Sequence, residues 1–167
     1  GQPRSRALAG VQLLGNGDLL VGYRDASVHP VGDHEMIDDG VVMTVGSTDG
    51  GRTWEQPQQV IAVPGWDCAG GRSLVQTPDG GLMMFVLQAR RAGRSFPESH
   101  VYPIRSADDG HSWGPLGPEV SLFQEWTEPN TTGRMCVLSD GRWMIPAYGA
   151  DSPGGPTYPV VAFSEDL

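Results

Sequence analysis

The chain of 167 residues contains 24 glycines and 14 prolines and carries a net charge of −9. This composition favours many turns and short strands over long helices. The acidic balance argues against a nucleic-acid partner, because phosphate binding needs a basic surface. No stretch approaches the roughly 18 apolar residues of a membrane helix, and no signal peptide is visible. We therefore expect a soluble protein without membrane contact, whose compartment the sequence leaves open.

The first third of the chain is predicted to form four short strands. Two of them flank the turn Gly15-Asn16-Gly17, whose sequence is typical of a tight hairpin. A polar segment and a third strand follow, and then a second turn and a fourth strand. The four predicted strands are residues 7–14, 18–23, 40–46 and 58–63.

The rest of the chain repeats this order. Asp-Gly turns again join the first two strands of each unit as tight hairpins, at Asp79-Gly80 and Asp140-Gly141. The longest predicted loops both follow a second strand, at residues 25–39 and 89–99. The predicted strands are residues 72–76, 81–88, 101–105 and 119–123 in the second unit, and 134–138, 142–148 and 159–163 in the third.

Another turn sets the period of the repeat. Residues 47–54 and 106–113 share the pattern Ser-x-Asp-x-Gly-x-Thr/Ser-Trp, and Ser164 begins a third copy. The serines lie 59 and 58 residues apart, and a turn signature that returns at a near-constant interval marks an array of similar units. Four-stranded units of about 60 residues are blades of a β-propeller. The chain is therefore predicted to be all-β, with blades at about residues 6–64, 70–124 and, incomplete, 132–167.

Three blades do not close a ring. Propellers usually close with four to eight blades, and an open arc exposes the apolar faces of its terminal blades. We predict about two and a half to three blades of a six-bladed propeller. The ring would be completed either by the remainder of a longer chain or by self-association, with a second copy forming a dimer.

The two complete turns resemble the Asp-box, or BNR repeat, of the sialidase (neuraminidase) superfamily, and they match it at every specified position. In that repeat the Asp caps backbone N–H groups of its own turn, the Gly takes a conformation that other residues avoid, and the Trp packs beneath. The resemblance implies a folding role rather than catalysis for these residues. They are Ser47, Asp49, Gly51, Trp54, Ser106, Asp108, Gly110 and Trp113.

The resemblance also implies a site for an acidic sugar at the propeller axis. Sialidases hold the carboxylate of sialic acid with arginines, whose planar fork suits that group. Arg6 stands where the family's first arginine lies, and Arg4 is the alternative. The family's general-acid Asp lies between the second and third strands of the first blade, which here implies Asp33, with Asp38 and Asp25 behind it. The other interpretation of this loop is a solvated acidic segment.

The resemblance is incomplete for catalysis. The nucleophile of sialidases is a Tyr, activated by a Glu, and these residues come from later blades. Tyr148 and Tyr158 match no such motif. The chain alone therefore lacks a recognisable Tyr/Glu pair.

The repeat suggests a further arrangement at the axis. Arg6, Arg72 and Arg134 open equivalent predicted strands, and Trp and acidic residues precede two of them. Aromatic faces, carboxylates and guanidinium groups together suit a sugar. The alternative is that the tryptophans pack between blades and each Arg pairs with a local acid. The complete predicted ligand-binding set is Arg6, Arg24, Arg72, Arg134, Trp66, Asp67, Trp126 and Glu128.

Two smaller features complete the sequence-based expectations. The segment with Arg90, Arg91 and Arg94 is interpreted as a solvated basic loop or as a rim that attracts an acidic sugar. Cys68 and Cys136 are expected to be buried free thiols rather than a disulfide, and neither stands at metal-ligand spacing from a His. We expect no metal and no cofactor.

The sequence thus predicts a sialidase-like, glycan-recognising propeller. With the ring completed, it would be an exo-glycoside hydrolase acting on sialic acid or a related acidic sugar. The alternative is a non-catalytic carbohydrate-binding or assembly module built on the same repeats.

Overall fold

The computed structural model describes residues 4–28, 38–92, 95–121, 127–131, 133–152 and 155–165. Within these ranges the chain forms twelve β-strands and a single three-residue 3-10 helix. The strands make three antiparallel sheets that follow one another along the chain. The predicted all-β class is confirmed.

The first sheet, which we call blade 1, contains four strands in sequence order. They are β1 (Ser5–Leu13), β2 (Leu19–Ala26), β3 (Val41–Ser47) and β4 (Gln58–Ile61). The hairpin turn between β1 and β2 places Gly17 at a φ of 93°, a conformation that favours glycine. A bulge interrupts the register between Ala7 and Gly10. Asp25 lies within β2 and not in the loop that the sequence predicted from this residue onward.

In blade 2 the first strand is broken in two. We call the first strand of each blade innermost, because residues of these strands from all three blades line one cleft. The strands are β5 (Asp67–Ala69), β6 (Val75–Gln76), β7 (Leu82–Ala92) and β8 (Ser95–Ser106), and both β5 and β6 pair with β7. The predicted continuous strand at 72–76 is wrong, because the 3-10 helix Gly71–Ser73 separates the two pieces. The Ser73 hydroxyl bridges the gap, accepting from Phe85 N at 2.8 Å and donating to Gly70 O at 3.0 Å.

Blade 3 repeats this design. Its strands are β9 (Thr127–Thr131), β10 (Cys136–Val137), β11 (Trp143–Ala150) and β12 (Thr157–Ser164), with β9 and β10 both paired to β11. The single inner strand predicted at 134–138 is therefore shorter and is preceded by a separate piece.

Two further expectations for blade 2 are wrong. The loop predicted at 89–99 is instead the closed end of the β7–β8 hairpin, where Arg90 pairs in register with Glu98. Residues 119–121 form no strand, although Val120 N donates a 2.8 Å hydrogen bond to Val101 O. This single link replaces the described part of the fourth strand predicted at 119–123.

The core lies between successive sheets. Alternate residues of β7 face opposite ways: Leu82, Met84 and Val86 pack against blade 1, and Met83, Phe85 and Leu87 pack against blade 3. All six are buried, which explains why this strand reads as a continuous apolar run rather than an alternating one. Four-stranded sheets that pack face to face in this way are blades of a β-propeller, here a three-blade arc.

Candidate functional site

The two copies of the repeated turn share most of their hydrogen bonds. Asp49 Oδ1 accepts from Arg52 N at 2.9 Å and from Thr53 N at 2.8 Å, while its Oδ2 accepts from the Thr53 hydroxyl at 2.6 Å. The Ser47 hydroxyl donates to the same carboxylate and accepts from Gly51 N. Gly51 has a φ of 88°. The Asp49 carboxylate is thus committed to its own turn.

The second turn repeats these bonds except the one from Arg52 N, whose counterpart His111 N donates to the backbone oxygen of Asp108 at 3.1 Å. Asp108 accepts from the Ser112 hydroxyl at 2.5 Å and from Ser112 N at 2.8 Å, and the Ser106 hydroxyl accepts from Gly110 N. Hydrogen bonds from the hydroxyl and N–H of Thr53 hold the pKa of Asp49 at about 2, and those from Ser112 do the same for Asp108. Both carboxylates are therefore ionised near neutral pH and accept hydrogen bonds within their own turns.

The repeated turns stand at the end of the blade opposite Arg6. In blade 1 the turn follows Ser47, which pairs with Leu19, whereas Arg6 pairs with Asp25. Six residues of β2 separate these two levels, about 20 Å at the rise of a strand. The repeated turns are therefore remote from any site at the Arg6 end.

Arg6 belongs to an ionic cluster at the start of the innermost strand. Its Nε donates a 3.0 Å hydrogen bond to Asp25 Oδ2, and Arg4 Nε donates to the other oxygen of the same carboxylate. Arg4 Nη1 reaches Asp39 Oδ2 at 3.2 Å, and Asp39 accepts in turn from Ser27. The Arg6 side chain is 67% exposed. The cluster therefore presents a guanidinium to solvent from a fixed position.

An open cleft of about 580 Å³ adjoins this cluster. Arg4, Asp25, Asp38 and Asp39 line its polar wall, and Val41 and Met43 contribute to its apolar wall. A concave surface with a few charged groups over an apolar floor is a typical setting for a small polar ligand.

The three candidate acids lie in different settings. Asp33 lies outside the described residues, while Asp38 is exposed at the cleft. Burial raises the pKa of Asp25, but the hydrogen bonds from Arg4 and Arg6 outweigh it, and the pKa is lowered. A general acid must hold a proton at the working pH. The structure therefore disfavours Asp25 as the acid and makes it the residue that orients the two arginines.

Arg24 and Asp67 join blades 1 and 2 instead of facing solvent. Arg24 Nε donates a 2.7 Å hydrogen bond to Asp67 Oδ1, and the side chains are 0% and 1% exposed. Arg24 Nη1 also donates to Val28 O at 3.1 Å. The ligand role predicted for this pair is inconsistent with the structure, because burial between the sheets leaves no room for a sugar.

Trp66 packs against side chains of the β7–β8 hairpin and against the core between blades 1 and 2. Its ring meets the edge of His100 at a centroid distance of 5.5 Å, and the Arg90 guanidinium lies 4.7 Å from the ring centroid. Arg90 Nη1 in turn pairs with Glu98 at 3.2 Å. His100 also contacts Glu119 at 2.7 Å. Sequence reasoning missed His100, Glu98 and Glu119, because nothing local marks them as partners.

The arginines that the repeat made equivalent do not converge. Arg72 is half-buried in the 3-10 helix. Arg134 Nη2 donates a 2.8 Å hydrogen bond to Gln12 Oε1 and lines a second cleft, of about 540 Å³, with residues of all three innermost strands. Arg6 pairs with Asp25 and Gln12 pairs with Leu20, so five residues of β2, about 17 Å, separate the two levels. The predicted convergence of Arg6 and Arg134 is therefore wrong.

Trp126 lies outside the described residues, as do the side chains of Glu128 and Arg91. Cys68 and Cys136 are free, the first buried and the second half-buried, and burial raises the pKa of Cys68 to about 11. Among the described residues no group of three or more His, Cys, Asp or Glu side chains is placed to hold a metal ion. The same part of the chain contains no helix long and apolar enough to cross a membrane.

Comparison with solved structures identifies the fold. The chain is similar to a protein of unknown function from Dyadobacter fermentans, with a TM-score of 0.74 and 20% identity over 99% of this chain and 53% of that one. It resembles the Trypanosoma rangeli sialidase solved with sialic acid, with a TM-score of 0.73 and 17% identity over 97% and 29% of the two chains. For the intramolecular trans-sialidase of Ruminococcus gnavus the TM-score is 0.72, with 12% identity over 99% and 59%.

These likenesses define a sialidase-type β-propeller fold, and at such identities they define the fold alone. The chain spans between 29% and 59% of the length of these three structures. No protein-family model matches the sequence, and no curated protein matches it.

Proposed function

We propose that the chain is part of a sialidase-like propeller that recognises an acidic sugar through Arg6. The observation that carries the proposal is the exposed guanidinium of Arg6 at the start of the innermost strand, held by Asp25. Support for the ligand class comes from the fold, since one protein with this fold was solved in complex with sialic acid.

The chemistry of the cluster fits a carboxylate ligand. Among the described contacts, Arg6 uses only its Nε for Asp25, so its terminal nitrogens can bond to the two oxygens of a carboxylate. Asp25 fixes the guanidinium and limits the entropy lost when a ligand binds. Arg4, which is more deeply engaged with Asp25 and Asp39, has a supporting role.

The proposed reaction, once the ring is complete, is hydrolysis of the glycosidic bond to that sugar. Asp33 is the first candidate for the general acid and Asp38 the second. The nucleophile would come from blades beyond these three. Replacing either Asp33 or Asp38 would then reduce turnover but leave ligand binding intact.

A non-catalytic carbohydrate-binding module is the second candidate function. The observation that favours it is the lowered pKa of Asp25, the carboxyl group in direct contact with Arg6. A carboxylate that stays ionised suits binding better than proton donation.

A fluorogenic sialoside, given to the protein with its propeller ring completed, separates the two candidates. Turnover by the wild type that falls at least tenfold in Arg6→Gln and in Asp33→Asn supports the enzyme. Arg142→Gln is the matched control, because Arg142 is an exposed arginine paired with a neighbouring aspartate, Asp140. Glycan-array binding of sialosides without turnover, lost in Arg6→Gln, supports the binding module. If the protein showed no turnover and no sialoside binding, both candidate functions would be contradicted.

A further inference from the structure

The cleft of about 540 Å³ beside Arg134 is separate from the one beside Arg6. Residues from the innermost strands of all three blades line it: Gln12 of blade 1, Val75 of blade 2 and Cys136 of blade 3. We call it the inner-strand cleft. Along β2, the partners of Arg6 and of Gln12 lie about 17 Å apart, so a ligand in this cleft does not touch Arg6.

The three strands contribute equivalent positions of the repeat to this cleft. Gln12, Val75 and Cys136 each stand five residues before the glycine of their hairpin turn, whose φ lies between 89° and 93°. Of the three, only Gln12 carries an amide, yet its side chain is buried, with 4% of the residue exposed. Burying an amide is costly unless it is hydrogen-bonded, so Gln12 depends on the bonds it makes. The turn glycines are Gly17, Gly80 and Gly141.

The buried amide of Gln12 orients the guanidinium of Arg134. Gln12 Oε1 accepts a 2.8 Å hydrogen bond from Arg134 Nη2. Gln12 Nε2 donates to Leu13 O, and this second bond fixes the direction of the amide. The contact joins blade 3 to blade 1 between residues 122 positions apart in the chain. Arg134 is therefore held at the wall of the cleft by a partner that is itself fixed.

Arg134 differs from the ion-paired arginines because its partner is neutral. In the described part of the chain its hydrogen-bond partner is Gln12, and no Asp or Glu lines the inner-strand cleft there. A positive charge without a nearby carboxylate, in a protein with a net charge of −9, is open to an anion from solution. The arginines that do pair with an Asp or Glu are Arg4, Arg6, Arg24, Arg90 and Arg142.

The remaining donors of Arg134 suit a carboxylate. Among the described contacts Gln12 takes one N–H of Nη2. The second N–H of Nη2 and those of Nη1 lie side by side on the guanidinium and can bond to the two oxygens of one carboxylate.

The apolar part of the wall favours an organic acid over an inorganic anion. Val75 and Pro78 of blade 2 and Met135 and Val137 of blade 3 line the cleft. Phosphate or sulfate gains nothing from such a wall, whereas the apolar body of an organic acid is stabilised by leaving water.

We propose that the inner-strand cleft binds a small organic acid. Arg134 bonds to the carboxylate, Val75 and Met135 contact the apolar body, and Gln12 positions the guanidinium. The inference goes beyond the proposed function, since Arg6 and its cleft play no part in it.

Cys136 reports whether the cleft is occupied. Its thiol is free and half-buried, and the residue lines the cleft. A bound ligand should slow its alkylation by iodoacetamide, measured by mass spectrometry of the Cys136 peptide in the protein with its propeller ring completed. Cys68, which is 0% exposed, should stay unmodified and so shows that the fold is intact.

The probes are benzoate and benzamide, which share a ring and differ in charge. We expect benzoate to protect Cys136 at a half-maximal concentration at least about tenfold lower than benzamide. Equal protection by the two, or no protection by benzoate, would overturn the proposal without the use of any variant. Inorganic phosphate is expected not to protect, and protection as strong as that by benzoate would overturn the assignment to an organic acid.

Two variants assign the protection to the named residues. Arg134→Gln removes the charge, so benzoate should protect Cys136 no better than benzamide does. Gln12→Leu keeps the charge but removes its partner, and it should raise the half-maximal concentration of benzoate several-fold. Arg142→Gln, at an exposed arginine paired with Asp140, is the control and should behave as the wild type. Preference for benzoate that persists in Arg134→Gln would overturn the site.

Discussion

Arg24 of blade 1 donates a 2.7 Å hydrogen bond to Asp67, which begins blade 2, and both side chains are buried. Their separation along the chain is 43 residues. The pair therefore fixes how the first two blades sit against each other. Removing one charge from a buried pair is costly because the partner remains desolvated.

We expect Asp67→Asn to lower the free energy of unfolding by about 3–5 kcal/mol, since it leaves a buried guanidinium without a counter-charge. Urea unfolding at fixed protein concentration measures the change. Asp140→Asn, which breaks the exposed pair with Arg142, is the control and should change stability little. If both substitutions changed the free energy of unfolding equally, burial would not explain the stabilisation by the Arg24–Asp67 pair.

The contact between Gly71 and Gly22 leaves no space for a side chain. A Cβ on Gly71 would lie 2.1 Å from the carbonyl carbon and oxygen of Gly22. We expect Gly71→Ala to lower the free energy of unfolding by about 1–3 kcal/mol, because the added methyl group forces the blades apart. Gly114→Ala, whose Cβ would meet Arg105 O at 3.5 Å, is the matched control. A thermal melt in which both variants match the wild type would refute this steric account.

The repeated turns should make the protein sensitive to acid. The pKa of Asp49 and of Asp108 is about 2 in the folded chain, below the ordinary value of 3.8. The stability that these ionised groups contribute is therefore complete above about pH 4 and disappears as the pH falls towards 2.

Melting temperatures between pH 2 and pH 7 measure this effect. The double variant Asp49→Asn, Asp108→Asn should melt lower at neutral pH and lose less stability in acid than the wild type. Asp109→Asn is the control, because Asn also tolerates its positive φ of 57°. Parallel acid curves for wild type and double variant would contradict the assigned role of the turns.

His100 should stabilise the β7–β8 hairpin when it is protonated. The hydrogen bond to Glu119, assisted by Glu98, raises the pKa of His100 above its usual 6.5 despite partial burial. Its contribution is therefore complete below about pH 6.5 and is lost as the pH rises through the raised pKa. A proton NMR titration should show the midpoint falling in Glu119→Gln, with His111→Gln used for assignment. An unchanged midpoint would refute the pairing.

Much of the fold was predictable because its signals are local. The turn glycines and the serine-to-tryptophan motif lie within a few residues of the bonds they make, and they set the order of the strands. The break between β5 and β6 was not predictable, because it accompanies the approach of Gly71 to Gly22, far away in the sequence. The pairing of Arg24 with Asp67 was not predictable for the same reason, because the two residues lie 43 positions apart in the sequence.

The candidate site was only partly predictable. Arg6 and Arg4, which the sequence offered as alternatives for one role, both donate to Asp25. The predicted equivalence of Arg134 and Arg6 is wrong, because Arg134 stands five residues before its hairpin turn at Ser139 and Arg6 stands nine before Gly15. The repeat aligns whole strands, but a shift of four residues moves a side chain about 13 Å along the strand.

Titration calorimetry with sialic acid and with its methyl ester tests the central claim, that Arg6 binds the carboxylate of an acidic sugar. The ester has the same ring but lacks the charge. We predict that the wild type and the Arg142→Gln control bind the acid at least tenfold more tightly than the ester, and that Arg6→Gln binds both equally weakly. Equal affinity of the wild type for acid and ester, or undiminished binding of the acid by Arg6→Gln, would contradict the account.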